Sequence, residues 1–98
     1  MTYITTTQIN GGRAEDYRNI LAALPTTEPE GLLARYAGAS GDTFFVVAVW
    51  ANKTQSDRFG AELLGPTVRS LVPLPAGTSE NSGFECVEEF TAQPSARA

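Results

Sequence analysis

One tryptophan, one cysteine and no histidine leave this chain few of the side chains on which small enzymes build their chemistry. Without an imidazole there is no ready base near neutral pH, and with Cys86 as the lone thiol neither a Cys/His metal cluster nor an intrachain disulfide can form. Cys86 also has no His or Lys beside it in sequence to draw down its pKa, so it reads as a buried thiol rather than a nucleophile. What remains is a chemistry of shape and hydrogen bonds. Trp50 offers an indole that can stack on a planar ligand, the alternative being a plain core residue on a central strand. Tyr3, Thr5 and Thr7 share one face of a strand, and Tyr36 on the next strand is expected to look the same way. Their hydroxyls would orient a phenol or ketone, or else sit at the edge of the core. Tyr17 is read as a helix core residue within reach of the same space. Arg35 could hold an anionic group, although an arginine on an edge strand commonly extends its head to water. Glu85, Glu88 and Glu89 are better read as solvated charges than as an acid–base pair, since Glu85 and Glu89 fall on one strand face and Glu88 on the other. No phosphate-binding glycine loop, nucleophile elbow or zinc spacing is present, and Gly11-Gly12 alone is a turn.

The elements that must position these residues follow from periodicity. Tyr3 to Ile9 is rich in β-branched and aromatic residues and predicts a first strand. Ala14, Tyr17, Leu21 and Leu24 recur at helical steps, and Pro25 ends that helix. Leu32 to Ala37 alternates as a second strand, and Gly38 to Asp42 reads as turn chemistry. Phe44 to Trp50 is apolar on both faces and so belongs at the centre of a sheet. Asn52 caps a second helix, with Gln55 reaching back as in a capping box, and Phe59, Leu63 and Leu64 point inward. Gly65-Pro66 reads as a helix stop, followed by a short helical piece through Val68, Leu71 and Val72. Pro73 to Ser82 is expected to be a loop, Phe84 to Thr91 the fourth strand, and Ala92 to Ala98 a loose tail. The order is β-α-β-β-α-β, an α+β ferredoxin-like fold with a four-stranded antiparallel sheet, spanning residues 1–91 as one domain.

Composition narrows the partners. Eleven acidic against seven basic residues give a net charge of −4, and the basic residues are scattered, which argues against nucleic acid and against an anionic membrane surface. The amino terminus lacks a basic, apolar leader and no run is long enough to span a bilayer, so the cytoplasm is the expected location. A domain of 98 residues buries roughly 60 to 65% of its unfolded surface and has little stability to spare. Right-handed crossovers put both helices on one side of the sheet. Phe45, Val47 and Val49 would then lie bare on the other side, and a homodimer that covers them is expected, the alternative being a monomer with an unusually apolar face.

The stretch from Val46 to Leu71 resembles the dimeric α+β barrel proteins of the antibiotic-biosynthesis-monooxygenase-like family. The resemblance lies in an apolar third strand ending in Trp50, a helix cap at Asn52, Phe59 on the helix, and the Leu64-Gly65-Pro66 break. It implies a pocket between sheet and helices with Trp50 on its wall, so that Trp50, Thr5, Tyr36, Tyr17 and Phe59 are the expected substrate-binding residues. It also implies a cofactor-independent monooxygenase, or a cyclase or isomerase, acting on a small aromatic or polyketide-type compound. The heme-degrading branch of that family carries a His where this sequence has Phe59-Gly60 and a strand-one Asn where it has Thr5, so neither heme nor any other cofactor is expected. The competing reading is a non-catalytic dimeric module that binds a small molecule or serves regulation.

Overall fold

The computed structural model describes residues 2–92. Four strands form one antiparallel sheet: β1 (Tyr3–Asn10), β2 (Leu32–Ser40), β3 (Thr43–Trp50) and β4 (Thr78–Glu85), in spatial order β2-β3-β1-β4. Helix α1 (Ala14–Ala23) links β1 to β2, while α2 (Lys53–Phe59), a π-helical turn at Gly60–Leu64 and α3 (Gly65–Ser70) link β3 to β4. This is the expected ferredoxin-like α+β arrangement, with β3 and β1 central.

The β2–β3 hairpin closes on two residues, Gly41 and Asp42, between the paired Ser40 and Thr43. Gly41 takes φ +59°, the left-handed first position that a tight hairpin turn of this kind requires. Strand β2 therefore runs three residues further than its pattern indicates, and Gly38 to Ser40 is strand rather than turn.

Near its start β2 contains a β-bulge. Leu32 pairs with Trp50 and Ala34 pairs with Val49, so Leu33 is the extra residue. From there on the side chains are inverted relative to a regular strand. Arg35 pairs with Ala48 and joins the face of Trp50, whereas Tyr36 pairs with Val47 on the opposite face, where it is 67% exposed.

Helix α2 begins as expected, Asn52 Oδ1 accepting the Gln55 backbone N–H at 2.9 Å. The reciprocal half of a capping box does not form. Gln55 turns its side chain into the space that the missing Cβ of Gly31 leaves open, and its Oε1 is buried there without a donor. The Gly65-Pro66 stop is also overturned. Gly65 has φ −56° and ψ −55°, right-handed helix, and its N–H reaches back to the Gly60 carbonyl. That wider π turn sits just before Pro66, which occupies the first turn of α3, where a proline costs little. The helix is displaced rather than ended.

Strand β4 lies at Thr78–Glu85, not at Phe84–Thr91. All eight of its residues pair with β1, from Asn10↔Thr78 to Tyr3↔Glu85, and the last bond runs from the Cys86 N–H to the Thr2 carbonyl. Beyond that point no partner strand remains. The alternating apolar pattern of residues 84 to 90 continues past the sheet, leaving Val87 95% and Phe90 84% exposed. Ala92 is outside regular structure, and the rest of the expected tail, 93–98, lies outside the described residues.

The core is thin. Its buried apolar side chains are Leu24, Phe44, Ala48 and Trp50, three of them on the helix-facing side of β3. Two aromatic contacts tie the helices to it: Tyr17 of α1 on Phe44, and Phe59 of α2 on Trp50, each with ring centroids 5.2 Å apart.

Candidate functional site

Because the helices touch the sheet mainly through these two aromatic pairs, the space between them stays open as a cavity of about 980 Å³. Its floor is the helix-facing side of the sheet, with Tyr3, Thr5 and Thr7 from β1, Val46, Ala48 and Trp50 from β3, and Gly83 from β4. Tyr17 and Ile20 of α1, with Leu24 just after it, form one wall. The other wall is the α2–α3 segment, where Gly60 and Ala61 of the π turn and Gly65 of α3 present little or no side chain and so leave room.

Four of the five expected binding residues, Trp50, Thr5, Tyr17 and Phe59, meet at this cavity. Trp50 is 3% exposed, so it belongs to the core and to the wall together: one part of the indole packs on Phe59 while another borders the space. Tyr36 does not join them, because the bulge at Leu33 sends it to the far face. Arg35 takes the inward place instead.

Some of the polar groups around the cavity are paired. Thr7 Oγ1 donates to Asn81 Oδ1 at 2.9 Å across the β1–β4 pair, which leaves the Asn81 amide N–H₂ as a donor at the rim. Tyr3 lies across Gly83 of β4, where any Cβ would overlap its hydroxyl, and the Lys53 ammonium stands 5.9 Å from the Tyr3 ring centroid. Lys53 is also paired with Asp57 at 2.6 Å, an exposed bond that holds the ammonium above its ordinary pKa. At the opposite end Asp16 accepts from the Arg13 guanidinium at 3.1 Å and from the Ala76 N–H at 3.0 Å. The Arg13 hydrogen bond first, and the Ala76 N–H second, hold the Asp16 carboxyl below the usual carboxylate range.

Sequence reasoning missed Asn81, because the polar stretch Thr78 to Ser82 carries no strand periodicity, and it placed Arg35 at the solvent edge, because bulges leave no mark in composition. Cys86 is a half-buried free thiol. Among the described residues no group of three or more His, Cys, Asp or Glu is placed to hold a metal ion, and no helix is long and apolar enough to cross a membrane.

The four-stranded antiparallel sheet in this order, with both helices on one side, is a fold that this chain shares with solved structures of antibiotic-biosynthesis-monooxygenase-like proteins. SnoaB, a cofactor-independent oxygenase from Streptomyces nogalater, superposes in a variant form with a TM-score of 0.68 at 15% identity, over 93% of this chain and 98% of that one. A Chloroflexus aurantiacus protein, provisionally assigned as an antibiotic biosynthesis monooxygenase, superposes with a TM-score of 0.64 at 13% identity, over 93% and 98% of the two chains. Rv0793 from Mycobacterium tuberculosis gives 0.67 at 13% identity, over 93% and 100%. No protein-family model and no curated protein matches the sequence.

Proposed function

We propose that this chain is a cofactor-independent monooxygenase, or a cyclase or isomerase of the same kind, that acts on a small aromatic or polyketide-type compound in the cavity between sheet and helices. The observation that carries the reading is the cavity itself, about 980 Å³ in volume, within the range that takes small organic molecules, and walled by the Trp50–Phe59 pair. Trp50 and Phe59 would stack on the planar ligand, with Thr5 below it and Tyr17 on the α1 side. In the oxygenase version the ionised substrate is itself the electron donor to dioxygen. For each activated methylene that becomes a carbonyl, one O₂ is consumed, one of its atoms entering the product and the other leaving as water. The protein's part is then to exclude water and to supply fixed dipoles where charge develops.

A second copy of the chain is the proposed cover for the open sheet face, where Ile4, Phe45, Val47, Val49, Tyr36 and Phe84 lie on one side with none of the described helices over them. One observation favours the non-catalytic reading instead. The two carboxylates at the cavity, Asp16 and Asp57, are both held in ion pairs, and with no His in the chain no side chain there is an evident general base.

The experiment is incubation with an anthrone, a tricyclic aromatic ketone with an acidic methylene, in aerated buffer without added cofactor. Expected is saturable oxygen uptake with matching quinone formation, faster than the spontaneous reaction. Saturable binding of the anthrone with no acceleration would instead establish the binding module.

A further inference from the structure

The charges around the cavity do not cancel. Five charged side chains border it: Arg13, Asp16, Arg35, Asp57 and Arg69. Asp16 is committed to Arg13, and Asp57 to Lys53. Arg35 and Arg69 have no acidic partner among the described residues, so a chain of net charge −4 carries two uncompensated guanidinium groups at this cavity. The two differ in setting. Arg69 is exposed on α3 and lies back over Gly65. Arg35 is half-buried and rooted in the floor, opposite Ala48, with Val46 and Trp50 as its diagonal neighbours on β3.

We propose that Arg35 is the binding residue for an anionic oxygen group, a carboxylate, phenolate or enolate, carried by a planar apolar ligand whose ring system extends toward Trp50. The inference rests on the reading of this cavity as the ligand site and adds the charge class of the ligand to it. An arginine half-buried at its base among alanine, valine and tryptophan and without an acidic partner gains most from an anion that brings its own charge, because charge-assisted hydrogen bonds are roughly twice as strong as neutral ones. Arg35 and Trp50 are diagonal cross-strand neighbours, positions about 7 to 8 Å apart at the backbone, so both side chains start close enough for one planar ligand to meet them. The β-bulge at Leu33 is what delivers this charge, since without it Tyr36 would stand inward and Arg35 would face away.

Two fluorescent probes of the same shape test this: anilinonaphthalene sulfonate, which is anionic, and phenylnaphthylamine, which lacks the sulfonate. Expected is that Arg35→Gln weakens the sulfonate probe about 10-fold and the neutral probe less than about 2-fold, and that Arg35→Lys restores part of the difference. Arg58→Gln, which removes an exposed partner of Glu62 outside the cavity, should change neither. Trp50→Phe should weaken both probes, which tests the cavity reading separately. If Trp50→Phe weakens both while Arg35→Gln leaves their ratio unchanged, the anion site is wrong and the cavity stands. If neither variant moves either probe, both readings fall. Salt on the unaltered protein gives an answer that does not depend on a variant folding. Screening the overall charge of −4 would tighten an anion held by apolar contact alone, whereas screening a guanidinium–sulfonate contact loosens it. A sulfonate affinity that rises with salt overturns the proposal.

Discussion

Strand β3 is apolar on both sides, yet its two sides meet opposite conditions. Toward the helices Phe44, Ala48 and Trp50 are 4%, 7% and 3% exposed; toward the open side Phe45, Val47 and Val49 are only half-covered, beside a Tyr36 that is 67% exposed and a Phe84 that is 52% exposed. The strand's own residues do not decide which side is covered; the handedness of the two crossovers does. Neither side is complete. The helix side encloses open space and the open side is only half-covered by the described residues, which is where the proposed ligand and the proposed second copy would lie.

The helix side breaks most readily at Trp50. Trp50→Ala removes the largest buried side chain of a thin core and its contact with Phe59. The expected loss is about 3 to 5 kcal/mol in urea unfolding, with aromatic ligands bound more weakly or not at all. Full stability with ligand binding intact would show that the indole serves neither the core nor the wall.

The open side breaks at Val47, opposite both Thr6 and Tyr36 in the middle of the sheet. Val47→Glu sets a carboxylate where a second copy would bury it. The expected cost to assembly is on the order of 3 to 5 kcal/mol, read by sedimentation as a dimer turned monomer or insoluble protein. Because Val47 is half-exposed in the single chain, the secondary structure of a soluble monomeric variant should be unchanged. Sedimentation of the unaltered chain as a monomer at tens of micromolar would remove the need for a cover.

A smaller effect separates the helix wall from the sheet floor. Asn52→Ala deletes the acceptor for the Gln55 N–H and frees the first turn of α2, the helix that carries Phe59. About 1 kcal/mol of stability should be lost. If α2 is a wall of the binding site, ligand affinity should fall as well, through Phe59, while the α1 contact of Tyr17 on Phe44 persists.

The comparison of the two faces also marks how far the sequence could be read. Helix α1, strands β1 and β3, and the Asn52 cap were legible because each depends on a local period or a single capping side chain. The fourth strand was not, because its position depends on where β1 runs out: eight polar, exposed residues pair while the apolar stretch after them does not. The exchange of Tyr36 for Arg35 was illegible for a related reason. One residue of bulge inverts the rest of a strand, and Leu33 looks like any other alternating position. Four of the five binding candidates lie on elements whose register was local. The fifth lies just past the bulge.

The smallest expected effect concerns the end of the cavity at Asp16, which ties α1 to the segment before β4 through Arg13 and the Ala76 N–H. Its carboxyl is held below the ordinary range, by the Arg13 hydrogen bond above all, so the folded state binds this proton less readily than the unfolded chain does. A depressed carboxylate contributes stability that is fully present above its unfolded pKa, about 4, and is lost as pH falls through the lower folded value. Asp16→Asn should therefore lower the urea midpoint slightly near neutral pH, and the gap between variant and unaltered protein should close as pH falls below the usual carboxylate range. Hydrogen exchange at the Ala76 amide gives the local readout. It should quicken in the variant near neutral pH, since the amide loses the charge on its acceptor, and the change should stay confined to the segment around residues 73 to 77. A gap that widens in acid would mean that Asp16 is held above its ordinary value, and that this end of the cavity is shaped by burial rather than by the ion pair.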